Sequence, residues 1–94
     1  MRNVEVVVQL DADFAGRLRR GVASGPEALQ LQGLLTAAGA TLRPQHPETA
    51  DRELARWFVA QTSDRGEGSR LAAALNALPC VNAAYAKPAA ELPQ

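Results

Sequence analysis

Apolar and polar residues alternate at the start of the chain, with Val4, Val6, Val8 and Leu10 on one side and Glu5, Val7 and Gln9 on the other. A two-residue period rich in valine predicts a strand with one fully apolar face and a mixed opposite face. Asp11 to Ala23 shows no clean period, so it is read as a solvated loop or a short helical turn. Its Arg17, Arg19 and Arg20 are not read as an anion site, because no glycine-rich phosphate cradle accompanies them. The period then changes to that of a helix. Ser24 and Glu27 have capping-box spacing around Pro26; Ala28, Leu31, Leu34, Leu35 and Ala38 recur on one face, and Gly39 is placed to stop it. Gly33 inside this helix costs up to about 1 kcal/mol relative to Ala, which suggests close packing on a sheet.

A short strand follows at Ala40–Pro44, where Pro44 suits a sheet edge or strand end. Gln45 to Glu53 is polar and reads as a loop. Leu54–Thr62 is a third strand, with Phe58, Ala60 and Thr62 on one face and Trp57, Val59 and Gln61 on the other. Ser63 or Asp64 caps a second helix whose core face is Leu71, Ala74, Leu75 and Leu78, with Gly66 and Gly68 softening its first turn. Pro79 ends that helix, Cys80 begins the turn, and the segment on to Pro88 alternates as a fourth strand.

The order β-α-β-β-α-β is that of the α+β ferredoxin-like folds: a four-stranded antiparallel sheet with two helices on one face. The first and third strands suit the centre, and the Pro44-bearing strand and the fourth suit the edges. With Val4, Phe58 and Tyr85 pointing inward, Val7, Trp57, Val59, Ala84 and Ala86 fall on the uncovered face. A bare face carrying a tryptophan and several apolar side chains is a candidate protein-docking surface.

Composition narrows the function classes. At 94 residues the chain is one small domain, read as 1–88 followed by an extended, proline-punctuated tail at 89–94. Apolar residues make up 47 %, many of them alanine, so the core is small. Ten basic and ten acidic residues cancel, leaving no net field toward nucleic acid or an anionic membrane. RNA binding on the sheet face would need several stacking aromatics, and Trp57 beside Arg56 is too little. One histidine, His46, and one cysteine, Cys80, leave the usual metal-ligand sets incomplete. They also provide no nucleophile–base–orienter set, so neither a cofactor nor an enzymatic role is expected. The N-terminus has no signal-peptide pattern, so secretion is expected only as part of a longer exported precursor. The loop carboxylates Glu48, Asp51 and Glu53 are candidates for general acid–base work or for capping helix N-termini of a partner, beside the plainer reading of a solvated loop. From Lys87 to Gln94 an extended tail reaches roughly 25 Å, long enough to lie in another protein's groove.

Two stretches resemble a known family. Arg43-Pro44-Gln45-His46-Pro47-Glu48-Thr49, followed by Glu53-Leu54-Ala55-Arg56-Trp57-Phe58-Val59, resembles propeptides of bacterial subtilisin-like serine proteases. So does Leu71–Pro79 with Val81-Asn82-Ala83-Ala84-Tyr85-Ala86-Lys87-Pro88. Glu48 stands where that family's loop commonly has Gly, and Cys80 where a Gly turn is usual. The resemblance implies an inhibitor and folding chaperone for a subtilisin-like catalytic domain, acting in cis as a prodomain or in trans as a free inhibitor. Val7, Trp57 and Val59 would then be its docking face, extended by Ala84 and Ala86. Glu91, Leu92, Pro93 and Gln94 would enter the substrate cleft, and carboxylates among Glu48, Asp51 and Glu53 would cap protease helices. The alternative is a small ferredoxin-like regulatory or oligomerisation module, which uses the bare face for self-association and leaves the tail dispensable.

Overall fold

Strand β1 (Val4–Leu10) lies between β3 (Trp57–Thr62) and β4 (Val81–Lys87), antiparallel to both, and β2 (Leu42–Pro44) adds outside β3. The structure is a computed structural model and describes residues 4–87. The sheet order is β2-β3-β1-β4, with the expected strands at the centre and edges. Three α-helices accompany it: α1 (Ala12–Arg19), α2 (Pro26–Ala37) and α3 (Arg65–Asn76), with a 3-10 turn at Leu54–Arg56. This is a small α+β domain with an open antiparallel sheet, loosely ferredoxin-like in topology. The expected tail at 89–94 lies outside the described residues.

The sheet's inner face is built by parity. Val4, Val6 and Val8 pair with Thr62, Ala60 and Phe58, and all six are buried. Val6, Val8, Phe58 and Ala60 pack in one core with Leu31 and Leu35 of α2 and with Leu71, Ala72 and Leu75 of α3. On α3 the buried alanine is Ala72, while Ala74 is only half-buried. Thr62 is the buried polar side chain of this face; its hydroxyl lies 3.3 Å from the Val4 carbonyl and 3.2 Å from the Asp64 carbonyl, either of which accepts its proton.

Of the loop or short helical turn expected over Asp11–Ala23, the first part is an eight-residue helix, α1. Asp11 caps it, its Oδ2 accepting from the N–H groups of Asp13 (3.1 Å) and Phe14 (3.2 Å). Asp13 in the first turn and Arg17 and Arg19 in the last complement the helix dipole. Only Phe14 and Ala15 are buried, which is why the stripe is too narrow to show as a period. The expected Ser24 cap on α2 is also corrected. Gly25 holds the N-cap position at φ 94°, a backbone conformation that Ser24 would adopt only with strain, and no side chain caps the helix. At the other end Gly39 (φ 66°) donates to the Thr36 carbonyl and Ala40 to that of Leu35, a Schellman ending.

Two further expectations change. Gly33 is exposed with nothing within 4 Å of where its Cβ would stand, so no close approach explains it. The close approach is at Gly68, buried on α3, where a Cβ would lie 3.0 Å from Val4 Cγ1 and 3.2 Å from Thr62 Oγ1. The faces of β4 are also exchanged. Gln9 pairs with Ala83 but Leu10 pairs with Val81, so Asn82 is an extra residue, a bulge that shifts the alternation by one. Ala84 (8 % exposed) and Ala86 therefore lie on the helix-covered face, and Tyr85 (52 % exposed) turns to the open one.

The last residue of α3 joins the helix to this edge strand. Asn76 Nδ2 donates to the Ala84 carbonyl at 2.7 Å, and its Oδ1 accepts from the Ala84 N–H at 3.0 Å. Replacing Asn76 by Ala leaves both backbone groups without their partner and is expected to cost about 1–3 kcal/mol, read as a lower urea midpoint. The two helical glycines predict opposite outcomes in the same assay. Gly33→Ala gains up to about 1 kcal/mol from helix propensity, whereas Gly68→Ala loses stability because its methyl presses on Val4 and Thr62.

Candidate functional site

The open face of the sheet follows from the same parity. Its middle row is Tyr85, Val7, Val59 and Arg43, paired across β4, β1, β3 and β2 in that order. One neighbouring row is Ala83, Gln9 and Trp57; the other is Lys87, Glu5 and Gln61. An apolar centre is thus flanked by polar and charged side chains. Val7 is 4 % exposed between Val59 and Tyr85, while Trp57 and Val59 are half-buried. Tyr85 is the most exposed aromatic of this face, and Lys87 lies 3.8 Å from Glu5 at the end of the neighbouring strand. A shallow groove of about 520 Å³ beside β2 is lined by Glu5, Arg43, Gln45, Pro47 and Val59.

Of the five residues expected on this surface, Val7, Trp57 and Val59 are there, and Ala84 and Ala86 are not. The Asn82 bulge removes the two alanines and supplies Tyr85 and Ala83 instead. The signal for Tyr85 was present in its neighbours. Small side chains at Ala84 and Ala86 fit under α3, where even a Cβ on Gly68 would stand 3.7 Å from that of Ala86, and a tyrosine does not.

The loop carboxylates divide by use. Asp51 Oδ1 accepts from the Glu53 N–H (2.8 Å) and the Leu54 N–H (3.2 Å), which caps the chain's own 3-10 turn. Glu53 is held by Arg56 at 3.1 Å and by Gln9 Nε2 at 3.1 Å, and Arg56 Nε donates to the Leu10 carbonyl at 2.9 Å. This network pins the turn against the Trp57 end of the open face. Glu48 is exposed, and no hydrogen bond or ion pair joins it to another described residue. Its loop is fastened by Arg19, whose Nη2 donates to the carbonyls of His46 (3.1 Å) and Pro47 (2.9 Å). Glu91, Leu92, Pro93 and Gln94 lie outside the described residues, as does any contact they make.

Among the described residues no group of three or more His, Cys, Asp or Glu is placed to hold a metal ion, and no helix is long and apolar enough to cross a membrane. Compared with family models, curated proteins and solved structures, the chain matches none.

Cys80 is buried, with its backbone carbonyl accepting from the Asp11 N–H at 2.8 Å. Burial, followed by the nearby Glu27 charge, pushes its thiol above the ordinary value. The folded state therefore keeps this proton longer than the unfolded chain does. Its contribution to stability is complete below the ordinary thiol pKa and is lost as pH rises through the raised one. Iodoacetamide at pH 8 is expected to alkylate the folded chain at least about tenfold more slowly than the urea-unfolded chain.

Proposed function

We propose that the chain is a small regulatory interaction module of the ferredoxin-like kind, working through self-association of its open sheet face. The observation that carries this reading is the row Tyr85, Val7 and Val59 with Trp57 beside it, an apolar strip on a face that no helix among the described residues covers. Charged side chains at its margin, Glu5, Arg43 and Lys87, suit a polar rim around an apolar centre. A two-fold pair would place the same strip on both sides of the contact, with Tyr85 and Trp57 as its large anchors.

A second reading uses the same face differently: docking on a subtilisin-like catalytic domain, with the chain after β4 entering the substrate cleft. It is supported by Val7, Trp57 and Val59 lying together on the open face, and by β4 being an edge strand from which the chain runs on. Glu48, exposed in the loop beside that face, is the carboxylate best placed to cap a partner helix.

Sedimentation of the chain from micromolar to near-millimolar concentration tests the first reading, with emission from its one tryptophan as a second signal. A reversible dimer with blue-shifted Trp57 emission is expected. Val59→Asp, and separately Tyr85→Ala, should weaken that dimer at least about tenfold while the far-ultraviolet circular dichroism stays unchanged. A monomer at every concentration overturns self-association. Inhibition of a subtilisin-type protease that is lost on removing Glu91–Gln94 would instead support the second reading.

A further inference from the structure

Helices α2 and α3 cover the same side of the sheet but are held to it differently. α3 lies close along β1, β3 and β4, whereas α2 comes comparably close to α3 alone. Four residues of α3 are buried, Gly68, Leu71, Ala72 and Leu75, and Asn76 clamps the end of that helix to β4. On α2 only Leu31 and Leu35 are buried, and Leu29 is 75 % exposed. Among the described residues no hydrogen bond or ion pair joins an α2 side chain to another element, and Gln32 donates to Thr36 of the same helix. Between α2 and the β2–β3 edge lies a half-open cleft of about 750 Å³, bordered by Ala28, Leu31, Leu35, Leu42 and Phe58. Side chains that face such a space lack packing partners on that side.

The helix is also weak in itself. It starts at Gly25 without a side-chain cap, and Gly33 sits in its middle. Nothing lies within 4 Å of where a Gly33 Cβ would stand, so packing does not call for glycine there and its cost falls on the helix alone. Few buried apolar contacts, no polar tie to a neighbour and low intrinsic propensity together mark a segment that opens before the rest.

We infer that α2 is a lid, unwinding as one unit between Gly25 and Gly39 while β1, β3, β4 and α3 stay folded. The part that stays is joined by the strand pairings on both sides of β1 and by the Asn76 clamp, none of which involves α2. Opening uncovers Leu42 and Phe58 on the helix side of the sheet. The molecule thus holds in reserve an apolar surface separate from its open face, and the inference stands whichever partner that open face takes.

Hydrogen exchange of the full chain, followed amide by amide by NMR from zero to moderate urea, tests it. The amides of Leu31, Leu34 and Leu35 are expected to share one protection factor, at least about a hundredfold below those of Val6 and Val8. Urea should lower that shared protection on a shallower slope than it lowers protection of the strand amides, since opening the lid exposes less surface than unfolding the whole. Gly33→Ala should raise the protection of all three helix amides together by about fivefold. Protection equal to that of β1 would mean that α2 opens only with the whole molecule, and overturns the inference. Protection graded from the helix ends and insensitive to urea would show fraying, and overturns it too, as does protection unmoved by Gly33→Ala.

Discussion

Strand β1 is paired on both sides, and its alternation fixes which residues of the whole sheet face the helices. Val4, Val6 and Val8 point into the core, so their partners Thr62, Ala60 and Phe58 must do so too, and Glu5, Val7 and Gln9 must point away with Gln61, Val59 and Trp57. A strand slipped by one residue would bury Glu5 and Gln9 and turn Val4, Val6 and Val8 outward. The helices can pack only on the apolar side, and the open face is whatever that choice leaves. Core and open face are thus two consequences of a single register.

Much of this was readable in the chain because β1 and β3 declare their parity openly. Three valines and a leucine stand at every second position of β1, and Phe58, Ala60 and Thr62 alternate with more polar neighbours in β3. β4 does not declare it. Val81 and Ala84 both face the helices, opposite Leu10 and Val8, although they are three apart, a spacing a regular strand cannot give. The bulge at Asn82 reconciles them, and it depends on how Leu10 and Val81 meet at the sheet's end, a tertiary contact that no local pattern encodes. Helix α1 was hidden for a different reason. Its buried side is only Phe14 and Ala15, and its clearest mark is a capping Asp11, which is equally at home in a turn.

The candidate surfaces differ in legibility for the same reason. Trp57, Val59 and Val7 belong to strands with open parity, so their face was evident; Tyr85 belongs to the bulged strand. Asp51 and Glu53 looked like free loop carboxylates, yet each is taken up within the chain, one by backbone N–H groups and the other by Arg56 and Gln9. The fastening of the His46–Pro47 loop by Arg19 was not foreseeable, since α1 and that loop meet only when the elements pack. Arg19 itself was visible, but as one arginine among three.

The Asn76 clamp restricts how copies of this molecule can add to one another. An outer strand with free backbone groups invites a neighbour's strand to continue the sheet, and such addition has no built-in end. Here a side-chain carboxamide already occupies the middle of that border, and the opposite border is a three-residue strand ending in Pro44. Growth by lengthening the sheet is obstructed at both margins. Stacking face against face stays open to it, and that arrangement terminates after two copies.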